Sequence, residues 1–172
     1  MTKIVGLETR KKIYDIISKN PGVHALRIAE ILQLSAQLVD YHLYYMQRDN
    51  LIVYEKESGY KRCYIKGEIG TEDKKMLSLL RQDIPLSIVF FLLKNPYSRH
   101  KDIFKSLNLS SARLSYHLKK LVKNGIVTES SSGEKNGYIV KDNKEIIRFL
   151  IRYKPTSITK KVKDTWEDFG PG

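Results

Sequence analysis

Residues 110–127 read SSARLSYHLKKLVKNGIV, and the spacing of their apolar side chains decides how the rest of the chain is read. Leu114, Leu118 and Leu121 fall at i, i+4 and i+7, so they form one stripe of an α-helix that faces a core. Ser110 ahead of them is a good N-cap residue. Asn124-Gly125 supplies the residue types that a helix C-terminus favours, and the β-prone Ile126-Val127-Thr128 follows at once. The face opposite the leucines carries Ala112, Tyr116, Lys119 and Lys123, with Arg113 and Lys120 on its shoulder. Four of those six side chains are cationic, which suits a polyanionic partner.

The same pattern occurs earlier, in a weaker copy, as residues 35–53, SAQLVDYHLYYMQRDNLIV. An offset of 75 residues brings Lys19-Asn20-Pro21 onto Lys94-Asn95-Pro96, Ile28 onto Ile103, Leu32, Leu34 and Ser35 onto Leu107, Leu109 and Ser110, and Tyr41-His42-Leu43 onto Tyr116-His117-Leu118. One indel in the following hairpin then sets Tyr64 opposite Tyr138. Each copy predicts three helices and a hairpin. In the first these are Glu8 to Lys19 with Ile13, Ile16 and Ile17 inward, Ala25 to Leu32 with Ile28, Ile31 and Leu32 inward, and a helix capped by Ser35 that buries Val39, Leu43 and Met46. Strands at Leu51 to Glu55 and Arg62 to Lys66 close the copy around Ser58-Gly59. In the second they are Pro85 to Lys94, Arg99 to Leu107, Ser110 to Asn124, and a hairpin from Ile126 to Lys141 tipped by Ser130 to Gly133 and Asn136-Gly137.

The run Ser115-Tyr116-His117-Leu118-Lys119-Lys120-Leu121 with Gly125-Ile126-Val127 resembles the recognition helix and first wing strand of the ArsR/MarR-like winged-helix transcription regulators, closest to their tandem archaeal type. The resemblance implies a helix that enters the major groove of double-stranded DNA. The fold class expected is mainly α with small β-hairpin wings, as two winged helix-turn-helix domains in tandem. Residues 1–68 are read as the first domain, 69–84 as a helical linker, 85–141 as the second domain, and 142–172 as C-terminal helices. In the linker, Met76, Leu79 and Leu80 share a side. In the C-terminal region, Asp142 can cap a helix through Arg152 with Ile146, Ile147, Leu150 and Ile151 apolar, and Ser157 to Phe169 repeats the pattern beyond Pro155. Such stripes pack back on the chain or form a homodimer contact.

Composition agrees with a nucleic-acid partner. The formal net charge is +12, and it is uneven: residues 1–70 hold 11 Lys and Arg against 8 Asp and Glu, residues 71–172 hold 20 against 11. The second domain is therefore the expected stronger DNA reader. A single cysteine, Cys63, excludes an internal disulfide framework and reads as a small filler in a cytoplasmic protein. The most apolar run, Ile84 to Leu93, is about half the ~20 residues that span a bilayer, so no membrane segment is expected. There is no glycine-rich phosphate loop, nucleophile motif, HExxH or CxxC, and the thiolate metal motif of some ArsR regulators is missing; neither an enzyme nor a cofactor is expected.

Candidate DNA contacts on the second helix are Ser111, Ala112, Arg113, Tyr116, Lys119, Lys120 and Lys123. Arg113 suits guanine O6 and N7 in bidentate fashion, or a phosphate alone. On the first helix the matching positions are Ala36, Gln37, Tyr41, Tyr44 and Arg48, weakened by Asp40 and Asp49, with Tyr44 and Tyr45 also suited to a protein partner. Wing residues Lys56, Lys61, Arg62, Lys135 and Asn136 are candidates for phosphate or minor-groove contact, or ordinary surface. His42 and His117 recur at the edge of the buried stripe, where a structural or backbone-contact role is favoured over metal; His24 and His100 are given none. The rival reading is a winged-helix subunit that binds protein.

Overall fold

The stripe at Ile13 and Ile17 makes α1 (Thr2–Lys19), which begins six residues before the expected start and stops where Asn20-Pro21-Gly22 breaks it. Gly22 turns the chain at φ +78, and the two-residue strand β1 (Val23–His24) follows. Then come α2 (Ala25–Leu32), α3 (Ala36–Arg48) and the hairpin β2 (Ile52–Glu57) and β3 (Tyr60–Ile65). β3 lies between β2 and β1, with Val23 opposite Cys63 and Ile52 opposite Ile65. A strand as short as β1 shows no alternation, so only the hairpin was legible in the sequence. The computed structural model describes residues 2–57, 59–132 and 135–153, and the chain separates into two units, residues 1–74 and 75–172.

Buried Ile13, Ile17, Ile28, Val39, Leu43 and Met46 join Ile52 and Cys63 in the core of the first unit. Ile31, expected inward, is 46% exposed, and Ile16 is only partly buried. A short helix has room for one buried ridge, and α2 fills it with Ile28 and Ala29. Burial pushes the Cys63 thiol up to about 12, with the carboxylate of Asp40 acting in the same direction. Thiolate is the reactive form, so the native protein at pH 8 is expected to resist a thiol-reactive chromogen that labels it fully after denaturation. Fast labelling of the native chain would overturn the filler role.

α4 (Thr71–Leu80) carries the division between the units, which falls after Lys74. Lys74 Nζ donates to Glu55 Oε1 at 2.5 Å, within the first unit. Leu77, Leu79 and Leu80 are buried, and Met76 is partly so.

The second unit repeats the first: α5 (Asp83–Lys94), α6 (His100–Ser106), α7 (Ser111–Lys123), then β4 (Val127–Ser132) paired with β5 (Lys135–Val140). The expected indel is wrong. Ile52 pairs with Ile65 and Val127 with Val140, while Val23 meets Cys63 and Ser98 meets Tyr138, so the offset of 75 holds through the wing and Tyr138 stands where Cys63 does, not Tyr64. Backbone turns obey the same offset: Gln33 and Asn108 both take left-handed φ (54° and 51°), as do Gly22 and Tyr97, and Asn50 and Gly125.

Asn136 and Gly137, read as part of a turn, lie inside β5. Gly137 is needed there because a Cβ would press on the carbonyl oxygens of Tyr97 and Ser98, the latter at 2.6 Å, where Tyr138 N–H donates to Ser98 O at 2.9 Å. Gly137→Ala is therefore expected to cost about 1–3 kcal/mol by overpacking. A lowered denaturant midpoint checks this, and an unchanged one would contradict the close approach.

α8 (Asn143–Tyr153) starts under Asp142, whose Oδ1 accepts from Glu145 N–H at 2.9 Å, as the sequence suggests. Ile146, Phe149, Leu150 and Tyr153 are buried, whereas Ile151 is 47% exposed rather than part of the apolar face. Pro155 and the stretch Ser157 to Phe169 lie outside the described residues, as do the hairpin-tip residues Ser58 and Gly133. Among the described residues, no single helix is long and apolar enough to cross a membrane.

Candidate nucleic-acid interface

α7 sets the site. Ser110 Oγ accepts from Arg113 N–H at 3.3 Å at its start, and Asn124 Nδ2 donates to Lys120 O at 2.8 Å at its end. Leu114, Leu118 and Leu121 turn inward with 2% exposure or less, which fixes the opposite face outward. Ser111, Ala112, Arg113, Lys119 and Lys123 are exposed there, and Tyr116 is 56% exposed. Lys120 is half-buried because its ammonium lies 4.4 Å from the centre of the Tyr116 ring. That contact is worth about 0.5–1 kcal/mol at an exposed site, little enough for a phosphate to draw the amine away.

A cleft of about 410 Å³ runs beside this face, lined by His100, Ser115, Lys119, Lys123, Glu129 and Tyr138 among others. His100, given no role in the sequence reading, shares a hydrogen bond between its Nε2 and Ser115 Oγ at 2.9 Å, tying α6 to α7. No periodicity marks such a residue; only the fold brings positions 100 and 115 together. In the second wing, Asn136 is exposed opposite Ser131, while the side chain of Lys135 lies outside what is described.

The equivalent face of α3 is differently equipped. Ser35 Oγ caps it through Leu38 N–H at 3.2 Å, and Gln37, Tyr41, Tyr44 and Arg48 are exposed as expected from the stripe. Arg48, however, reaches Asp49 Oδ1 at 3.4 Å and sits 4.6 Å from the Tyr45 ring centre, whose other cationic neighbour is Arg10 at 5.1 Å. Tyr41 and Tyr44 meet Tyr45 edge-on. The surface is thus aromatic, with its cations engaged locally. In the first wing Lys56 and Lys61 are exposed, Lys61 5.7 Å from the Tyr54 ring centre. Arg62 is half-buried and donates from Nη1 to Gly22 O at 3.3 Å, so its guanidinium braces the turn before β1.

His42 and His117 are buried rather than at the edge of the stripe, at 4% and 9% exposure, and neither Nδ1 has a hydrogen-bond partner among the described residues. Burial holds both pKa values below the ordinary 6.5; Arg10 adds to this at His42, and Lys120 then Arg113 at His117. Because the unfolded chain takes up these protons more readily, stability is full above pH 6.5 and falls as pH drops through 6.5 towards the lowered native values. Urea midpoints are expected to drop from pH 7.5 to pH 5, and His42→Gln with His117→Gln should flatten the drop. No group of three or more His, Cys, Asp or Glu among the described residues is placed to hold a metal ion.

Comparison with known families bears on this arrangement. Residues 7–77 match a family model described as an N-terminal HTH domain, and residues 81–128 match one described as winged helix-turn-helix DNA-binding. The chain is a tandem pair of winged-helix domains. The tandem is similar to an uncharacterized HTH-type transcriptional regulator of Methanocaldococcus jannaschii, with 32% identity over 147 residues, 86% of this chain. The match covers 36% of that relative's length. α3 and α7 are the second helices of the two helix-turn-helix units, the position from which this motif addresses a groove.

Proposed function

We propose that the tandem binds double-stranded DNA and regulates transcription in the cytoplasm, with α7 as its principal reading element. The observation that carries this is the open flank of α7, where Arg113, Tyr116, Lys119 and Lys123 are all exposed on a face that the leucine stripe turns away from the core. Phosphate neutralisation by the lysines supplies affinity, and Arg113 at the first turn supplies base discrimination. Ser111 and Ala112 stand beside it at the amino end, where a recognition helix meets base edges. The first domain is the weaker reader, since Arg48 is engaged with Asp49 and Tyr45 and the outward tyrosines favour shape or protein contact. The motif from Ser115 to Leu121 supports an ArsR/MarR-like affinity within the helix-turn-helix class.

Residues 1–68 and 85–141 then serve as the two reading domains, with 69–84 between them. The buried stripe of α8 is satisfied within one chain, and the exposed apolar side chain this helix offers to a homodimer contact is Ile151. Sedimentation over a concentration series tests that. A protein-binding subunit is the competing reading. A mobility-shift titration on random duplex separates the two: the log–log salt slope is expected to be about −0.9 per phosphate contact, and salt-insensitive or absent binding at low salt supports the subunit.

A further inference from the structure

A cavity of about 320 Å³ opens along α5, walled by Ile84, Ser87, Phe90 and Phe91 of that helix and by Leu107 and Leu109 from the turn between α6 and α7. Asp83 and Lys94 lie at its rim, eleven residues apart on the helix. Its volume is that of a small-molecule site, and its walls combine several apolar side chains with a few polar groups, the hydroxyls of Ser87 and Ser106 and the amide of Asn95.

The internal repeat is the control. At the offset of 75, the first domain keeps the turn leucines as Leu32 and Leu34 but has Thr9 for Ile84, Lys12 for Ser87 and Asp15 for Phe90. Lys12 and Asp15 are exposed there, so the winged-helix fold does not need an apolar wall at these places. The second domain nevertheless places Ile84, Ser87 and Phe90 there, beside Phe91, Leu107 and Leu109, which are half-buried like their counterparts Ile16, Leu32 and Leu34.

We propose that this cavity binds a small, uncharged ring compound that packs on Phe91 and the turn leucines and hydrogen-bonds Ser87, and that its occupancy weakens duplex binding. The second clause rests on the DNA-binding reading; the first does not. Coupling is direct. Leu109 N–H donates to Phe104 O at 2.9 Å, and the next residue, Ser110, caps α7. A ligand that displaces Leu109 therefore moves the start of the reading helix.

N-phenylnaphthylamine, uncharged and fluorescent when desolvated, is the probe. Titrated into the full chain, it is expected to saturate at one per chain and to raise the melting midpoint. Ser87→Lys, which copies the first domain, should weaken it by about tenfold or more, and Ile84→Thr should weaken it too, with circular dichroism reporting that both variants stay folded. Non-saturating fluorescence, equal affinity in both variants, or light scattering showing that a second copy covers the cavity overturns the site. With the probe bound, duplex affinity is expected to fall by about fivefold or more. Unchanged affinity overturns the coupling alone. A chain that binds no duplex even without the probe overturns the coupling together with the DNA reading, and the site is then judged by the titration.

Discussion

Replacing Arg113, Lys119 and Lys123 together with alanine is expected to weaken duplex binding by about two to three orders of magnitude while leaving the fold intact. All three are exposed on α7, and among the described residues no hydrogen bond or ion pair of their side chains holds the helix in place, its ends being tied by Ser110 and Asn124. Loss of a bidentate base contact costs about 1–3 kcal/mol, which assigns Arg113 the largest single share. Each lysine removed should also take about 0.9 from the salt slope if it sits on a phosphate. The two contributions separate experimentally: Arg113→Ala should reduce discrimination between duplex sequences, whereas Lys119→Ala and Lys123→Ala should weaken all duplexes alike. The corresponding change on α3, Gln37 and Arg48 to alanine, should have a much smaller effect. Equal losses from the two helices would contradict the assignment of the second domain as the stronger reader.

The largest effect on stability is expected from Leu121→Ala. Leu121 is fully buried at the end of the α7 stripe, and its carbonyl accepts from Ile126 N–H at 3.0 Å where the chain turns into β4. Truncation leaves a cavity at this junction and costs about 2–5 kcal/mol. For a unit of this size, that lowers the melting midpoint by about 10 °C or more. Its neighbour Val122 is 41% exposed, and Val122→Ala should stay within about 0.5 kcal/mol of the parent. A calorimetric scan of both variants reads the contrast, and similar midpoints would mean that the stripe is misplaced.

Much of this molecule can be read from spacing. The α7 stripe, its caps at Ser110 and Asn124, the matching α3 stripe and the Asp142 cap all follow local rules and all appear in the structure. What escaped depends on contacts between distant residues. β1 is too short to carry a pattern, yet it completes a sheet through Cys63. Gly137 looks like a turn residue beside Asn136, but what it serves is the approach of Ser98 to Tyr138. The false indel arose from matching two tyrosines by identity, whereas the strand register preserves position and lets Cys63 and Tyr138 replace each other. For the interface, the α7 stripe foretells exposure and charge but not engagement: Lys120 lying on Tyr116, Arg62 bonded to Gly22 and Arg48 held by Asp49 and Tyr45 are visible only in the fold.

The central claim, that the α7 flank lies in a duplex groove, is tested most directly by cutting DNA from that flank. Cys63 is buried, so a new cysteine can be labelled alone. Ser111→Cys, carrying a tethered iron chelate that generates hydroxyl radicals, is predicted to cleave bound duplex efficiently at low salt, with cleavage lost as salt releases the DNA. The same chelate at Lys66→Cys, on the exposed residue after the first wing, serves as the reference. Cleavage from position 111 well above that reference is the result expected. Bound duplex cut no better from position 111 than from position 66 would contradict the account.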